Sequence, residues 1–331
     1  MHMADALLSP AVGITMCAVS TAACVYATKK IKIDNEIEEQ QIPLMGVTGA
    51  LIFAAQMINF TIPLTGSSGH IGGGILLASL LGAYPSLLTI TAVLIIQALF
   101  FADGGLLALG CNIFNMGVIP CLLIYPLLFA PLIKNGVNKR SLTTASILTV
   151  VISLQLGAFS VVMETLLSGV TALPLGAFIA LMQPIHLAIG IVEGLITAAI
   201  LVFVYQMRPE ILDRKFHTIS NRLSLKKVVA IITVITVLVS GGLSLYASKY
   251  PDGLEWSIKG VTGSEELTAD GPIYDASATI QKITALFPDY SFKSQEGGTS
   301  VSGIIGAAIT CALAGGTALI IKHNKQRKKH A

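Results

Sequence analysis

Long stretches without a charged residue alternate along this chain with short charged or glycine-rich breaks. A run of about 20 apolar residues crosses a ~30 Å hydrocarbon core as a helix. On that scale the uncharged stretches predict about nine spans, near 9–28, 42–62, 69–83, 85–102, 105–133, 143–169, 174–207, 227–248 and 301–321. Residues 71–102 carry no charge at all and would also read as one long helix. Gly82, Tyr84 and Pro85 argue for a break there, because proline cannot continue a helix cleanly and restricts the residue before it. The predicted fold class is all-α, a polytopic transmembrane helical bundle with a small extracytoplasmic domain.

Composition agrees with that class. The 331 residues are 53% hydrophobic and 12% charged, with a mean hydropathy of +0.77. Charge placement then sets the orientation. With nine spans and the N-terminus outside, 17 of the 21 basic residues fall in cytoplasmic segments: Lys29 to Lys32, Lys134 to Arg140, Arg208 to Lys227, and Lys322 to Lys329. The other four (Lys249, Lys259, Lys282, Lys293) lie in one long outside segment, and merging 71–102 into one span would scatter the clusters. The positive-inside rule therefore predicts a multi-pass protein of the cell membrane with its N-terminus outside and its C-terminus inside. The net charge of +3 reflects this asymmetry and not nucleic-acid binding. The basic tail from Lys322 to His330 reads as a stop-transfer flank at an anionic lipid leaflet.

Three regions differ in texture. Residues 1–207 form a dense hydrophobic bundle, 208–226 a basic cytoplasmic linker, and 227–331 two spans around a polar outside stretch, 249–300. That stretch holds eight carboxylates and the only tryptophan, Trp256; its acidity fits cation attraction at an entrance, and equally fits plain assembly with the bundle. Five cysteines, all inside predicted spans and without a C-x-x-C pair, read as small buried apolar residues. No internal repeat suggests an inverted-repeat carrier.

The candidate chemistry begins at the first two residues. An α-amine, the amide nitrogen of His2 and the His2 imidazole can close around one divalent metal as adjoining chelate rings, and His70 can fill the remaining position. Four nitrogens in a plane suit Ni²⁺ or Cu²⁺, which also displace an amide proton. Nothing basic precedes the first apolar run and no cleavage site is evident, so Met1 is expected to keep its amine. Glycines crowd His70 (Gly66, Gly69, Gly72 to Gly74) and follow Asp103, a pattern that serves either a loop site or ordinary tight helix packing. Ser68, Asp103, Asn112 and Asn115 are candidates to support the ligands. Asn112 and Asn115 share one helix face and are expected either to hold the far nitrogen of a metal-bound histidine or to bond helix to helix. His186 and Glu193, two turns apart on one face, read as an intramembrane relay or a structural pair. No P-loop, H-E-x-x-H or G-x-S-x-G occurs, so neither ATP hydrolysis nor hydrolase chemistry is expected of this chain.

The strings Met1-His2-Met3, GSSGHIGGG at 66–74, QALFFADGGLLALGCNIFNMGV at 97–118 and HLAIGIVEGLITA at 186–198 resemble the CbiM/NikM substrate-capture proteins of energy-coupling factor transporters. PDGLEW at 251–256, between two spans, resembles the NikN-type companion, fused here to the C-terminus. The resemblance implies a membrane subunit that takes Ni²⁺, or Co²⁺, as transported substrate, with no organic cofactor. Its implied partners are a transmembrane coupling component and a pair of cytoplasmic ATPases. In that family the metal is held by the N-terminal amine, the amide and imidazole of residue 2, and the loop histidine, which correspond to Met1, His2 and His70. The family commonly opens Met-His-Ile, then an acidic residue and glycine, where this chain has Met3, Ala4, Asp5 and Ala6. Nickel is expected over cobalt, from the planar nitrogens and the PDGLEW fusion. A cobalt-specific version of the same system is the nearest alternative; a self-sufficient proton-coupled carrier using His186 and Glu193, or an intramembrane enzyme, stands further off.

Overall fold

A computed structural model describes residues 1–34, 41–171, 173–212, 224–290 and 298–329. Most of the basic linker, residues 213–223, and Lys293 and Glu296 of the outside stretch lie outside the described residues.

The fold is an all-α bundle, with seven described helices long and apolar enough to cross a membrane. These are α1 (Pro10–Asp34), α4 (Ala83–Phe101), α5 (Leu109–Ile133), α6 (Lys139–Ser168), α7 (Leu175–Met207), α8 (Leu225–Gly241, extended by a short turn to Tyr246) and α11 (Gly298–Lys329). The second and third expected spans are realised differently. Helix α2 (Gln41–Gln56) has 16 residues, about 24 Å of helix. Helix α3 (Gly74–Leu81) has only 8, about 12 Å, and every residue in it is buried. The break expected at Gly82–Pro85 falls there: Gly82 takes a positive φ of 89° and separates α3 from α4. A segment this short does not cross a hydrocarbon core by itself, and all of its residues are buried among the other helices.

Local chemistry sets the helix ends. Asn138 and Ser141 cap α6 reciprocally, and Gly169 closes it in the left-handed region. Helix α5 widens into π-helical bonding over Phe114–Phe129, where Pro120 and Pro126 remove donors from the ladder. Between α2 and α3 a small antiparallel pair, β1 (Phe60–Ile62) and β2 (Ser67–Gly69), sets Phe60 opposite Gly69 and presents His70 just beyond the strand.

Packing joins the C-terminal helices to the rest. Helix α11 runs along α2 so closely that a side chain at Gly46 would meet the Cys311 carbonyl at 3.0 Å. One continuous apolar core takes in residues from Met1 to Ile321. The stretch between α8 and α11 folds as α9 (Gly253–Thr262) and α10 (Pro272–Thr284), both at the end of the bundle where the chain starts. Lys249, Lys259 and Lys282 lie at that end, while the far helix ends carry Lys29, Lys30, Lys134, Arg208 and Lys322.

Candidate metal centre

The chain start is folded into the bundle. Met3 is fully buried, and Asn112 of α5 treats its backbone as a strand neighbour: the Met3 N–H donates to Asn112 Oδ1 at 2.8 Å, and Asn112 Nδ2 donates to the Met3 carbonyl at 3.3 Å. The Gly105 N–H donates to the same carbonyl at 2.9 Å. Asp5 accepts the Ala108 N–H at 3.0 Å and meets the Ser277 hydroxyl of α10. With both sides of residue 3 held, Met1 and His2 have one direction to point.

That direction is toward His70. The Met1 amine lies 2.9 Å from His70 Nε2 and 2.9 Å from Asp252 Oδ2. The Ile71 carbonyl, 3.3 Å from His70 Nδ1, can only accept, so Nδ1 carries the proton and Nε2 presents its lone pair to the amine. The His2 and His70 rings stack at 5.0 Å between centroids and 21° between planes. On the far side of His2, Nε2 donates to Gln97 Oε1 at 3.2 Å, which leaves Nδ1 facing Asp103 Oδ1 at 3.2 Å. A lone pair opposite a carboxylate is an unfavourable pairing that a proton or a cation between them removes.

The electrostatics hold the imidazoles ready. Burial lowers the His2 pKa below the ordinary histidine value. Burial lowers that of His70 further, with help from the neighbouring ammonium and from His2. For Asp252, burial works against the charge, but the Met1 ammonium and His70 outweigh it and hold the carboxyl far below the usual carboxylate range. Burial and the Asp252 charge push Glu255, beside it, up to about 7.

The elements beneath the site fix its loop. Both oxygens of Glu193 in α7 accept backbone donors, from Gly72 at 2.9 Å and Gly73 at 2.8 Å, and Gln56 donates to the Gly72 carbonyl at 2.8 Å. Gly73 sits at φ +79°, and a Cβ there would lie 2.6 Å from Ile52 Cδ1, so glycine is required on two counts. His186 gives its Nδ1 proton to the Met182 carbonyl at 2.8 Å, and its Nε2 has no hydrogen-bond partner among the described residues.

The stretch after α8 lies across this loop. Ser68 donates to the Pro251 carbonyl through its N–H and to the Tyr250 carbonyl through its hydroxyl, both at 2.8 Å. Asp252 caps α9 with Oδ1, accepting from Leu254 at 2.7 Å and Glu255 at 2.9 Å, while the Glu255 side chain returns to the Asp252 N–H at 2.9 Å. Gly253 packs on α7: a Cβ there would lie 2.9 Å from Ile189 Cδ1 and 3.0 Å from His186 Cε1. Further on, the Tyr290 hydroxyl donates to Asp103 Oδ2 at 2.5 Å and accepts from Gln97 at 3.2 Å.

The structure thus brings Met1, His2, His70 and Asp103 together. Asn112 holds the Met3 backbone, and Asn115 donates to Glu164 at 2.8 Å; neither amide reaches a histidine, and Gln97 takes that place. Both asparagines point at the segment behind the ligands because α5 packs against Met3 and α6. His186 and Glu193 share a helix face but bond to different groups, a carbonyl of their own helix and the glycine loop. Sequence reading passed over three residues. Gln97 is one polar group in a long apolar run, Asp252 announces itself through the capping-box spacing to Glu255, and Tyr290 gives no sequence signal. Among the described residues no three His, Cys, Asp or Glu side chains converge as a metal site, so main-chain nitrogens are needed to complete one.

A cavity of about 620 Å³ opens above these groups. Eight carboxylates line it, among them Asp5, Asp103, Asp252 and Asp275, and no lysine or arginine does so among the described residues. The arrangement sets an acid-lined cavity beside two imidazoles and an amine.

Residues 2–211 match the cobalt uptake substrate-specific transmembrane region, and residues 226–323 match the PDGLE domain. A putative fused nickel transport protein NikMN of Archaeoglobus fulgidus is 30% identical over 95% of this chain and 96% of its own length. A cobalt transport protein CbiM of Sorangium cellulosum is 30% identical over 65% of this chain and 95% of its own. A crystal structure of a truncated transition metal transporter matches with a TM-score of 0.54 and 29% identity, covering 62% of this chain and 99% of that one.

Proposed function

The chain belongs to the CbiM family of cobalt uptake substrate-specific transmembrane proteins, as a nickel or cobalt transport component, and on that premise we propose that it captures Ni²⁺ through Met1, His2 and His70. The ligands are the Met1 amine, the amide nitrogen and Nδ1 of His2, and Nε2 of His70. Metal–nitrogen bonds of about 2 Å put neighbouring corners of a square about 2.8 Å apart. The observation that carries the reading is the 2.9 Å separation of the Met1 amine and His70 Nε2, which already matches one such edge.

Gln97 supports the assignment, because its Oε1 accepts the hydrogen bond from His2 Nε2–H and so leaves the Nδ1 lone pair for the metal. The acidic cavity gathers cations, and neutral imidazoles keep their lone pairs available. Exchanging one ammonium proton and one amide proton for Ni²⁺ leaves the net charge of the site unchanged, so Asp252 keeps a positive charge opposite it. Planar coordination selects Ni²⁺ over Co²⁺, which displaces amide protons less readily.

The capture face is the outside of the cell membrane, since the basic helix ends lie opposite the site. Residues 1–207 are the capture bundle and 227–331 an accessory unit joined by the linker 208–226. Without a P-loop of its own, the chain draws on ATP hydrolysis by cytoplasmic partners, through a transmembrane coupling component, to release metal inside. The test is ⁶³Ni²⁺ uptake by cells producing this chain with and without its ATPase partners. Uptake that needs the partners and is lost in His70→Ala supports the reading. Uptake by the chain alone, abolished by an uncoupler, would replace it with a proton-coupled carrier.

A further inference from the structure

We infer that the capture site is composite: Asp252 and Tyr290, both from the stretch between α8 and α11, are positioning residues for the metal ligands. The inference rests on the nickel-capture reading and adds to it two residues that touch the ligands or their holders.

Asp252 works with both carboxylate oxygens. Oδ1 is spent on the N-terminus of α9, where it accepts the Leu254 and Glu255 N–H groups, and the Glu255 side chain bonds the Asp252 N–H in return. That leaves the carboxylate plane fixed and Oδ2 aimed at the Met1 amine at 2.9 Å, with His70 Nε2 at 3.9 Å. The backbone around it is equally held. Ser68, two residues before His70, bonds the Tyr250 and Pro251 carbonyls, and Gly253 lies against Ile189 and His186 with no room for a side chain. Pro251 to Glu255 therefore form one rigid clasp that joins the amine to the His70 loop. A flexible chain start loses conformational freedom when it binds metal, and a clasp that orders it beforehand removes much of that cost.

Tyr290 acts on the other histidine. Its hydroxyl donates to Asp103 and accepts from Gln97, the two groups that face Nδ1 and Nε2 of His2. Three hydrogen bonds link His2 to Gln97, Gln97 to Tyr290 and Tyr290 to Asp103, and Asp103 comes back to within 3.2 Å of His2 Nδ1. Tyr290 reaches Asp103 from a left-handed backbone conformation, φ +56°, following Asp289 at φ +51°. Two successive non-glycine residues in that region are costly and persist only where surrounding contacts impose them. Here the Tyr290 ring stacks on Phe101 at 4.8 Å, and its carbonyl accepts the Ser302 hydroxyl at 2.7 Å.

The test uses the full chain, with Ni²⁺ titrations read by calorimetry and Cu²⁺ as a spectroscopic probe whose nitrogen hyperfine pattern counts ligands. Asp252→Asn keeps the cap on α9 and loses the charge at the amine; Tyr290→Phe keeps the stacking and loses both hydrogen bonds. Each is expected to weaken Ni²⁺ binding by about 10–100-fold, and to give a Cu²⁺ spectrum with fewer bound nitrogens than the parent. Asp270→Asn, exposed and outside the lining of the cavity, is expected to match the parent in both. Unchanged affinity in both variants overturns the inference. So does weakened affinity with the parent's four-nitrogen spectrum, because a purely structural role would give that result. His2→Ala tests the underlying reading separately: if it binds Ni²⁺ as the parent does, the site itself is misassigned.

Discussion

The α-amine of Met1 and Nε2 of His70, sixty-nine positions apart in sequence, stand 2.9 Å from each other at the top of the bundle. The hydrogen bond between them is spaced as two corners of a metal square would be. Three supports produce it: Asn112 holding Met3, Glu193 holding the Gly72–Gly73 backbone, and Asp252 holding the amine. On the proposed reading, this edge of the metal square is spaced before metal arrives.

His70→Ala and His2→Ala are each expected to abolish tight Ni²⁺ binding. The loss should exceed the about 10–100-fold typical of residues that only support a ligand. Equilibrium dialysis of the purified variants against ⁶³Ni²⁺ measures it, with thermal unfolding as the check that the bundle persists.

Gln97→Leu removes the acceptor for His2 Nε2–H in a fully buried position of nearly the same volume. The His2 ring is then free to turn and to carry its proton on the wrong nitrogen. Ni²⁺ affinity is expected to fall about tenfold, while Gln97→Glu, which keeps an acceptor there, retains more of it. Calorimetric titration of the pair distinguishes orientation from bulk.

Gly253→Ala puts a methyl carbon 2.9 Å from Ile189 Cδ1 and 3.0 Å from the His186 ring. Ile189 and the His186 ring must shift, or helix α9 must lift from α7, at a cost of about 1–3 kcal/mol. A lower unfolding temperature and faster proteolysis between α8 and α9 are expected; an unchanged melting curve would mean that α9 does not seat on α7 in this way.

Acid should weaken capture, and the sign follows from the ligands. Each proton that Ni²⁺ displaces makes the apparent Kd rise about tenfold per unit fall in pH. Burial lowers the pKa of both His2 and His70, so both stay neutral to lower pH than an exposed histidine. Their protonation adds to the loss only below the ordinary histidine range. Above it, the pH dependence belongs to the main-chain nitrogens, and Kd measured from pH 8 to pH 5 should steepen at the acid end.

The helical bundle was legible in the sequence. Long uncharged runs mark helices because lipid leaves backbone no other partner, and the break at Gly82–Pro85 followed from proline sterics. What the pattern could not convey is that α3 would be 8 residues long, since apolar runs look the same whether lipid or protein surrounds them. Met1, His2 and His70 could be proposed together because two adjacent residues carry three of the nitrogens, and the fold brings the three residues into contact. Gln97 and Tyr290 were not, because their roles depend on α4 and the stretch after α10 meeting in space. The asparagines were placed on the right face, yet they serve Met3 and Glu164, which periodicity alone could not tell.

The chelate requires that nothing precede the Met1 amine, so one added residue is the sharpest probe of it. Calorimetric titration of Ni²⁺ into the native chain, and into a chain carrying a single extra glycine ahead of Met1, makes the comparison. Tight stoichiometric binding by the native chain and its loss in the extended one is the expected result. Equal affinity in the two would show that the amine is not a ligand and that the metal is held elsewhere.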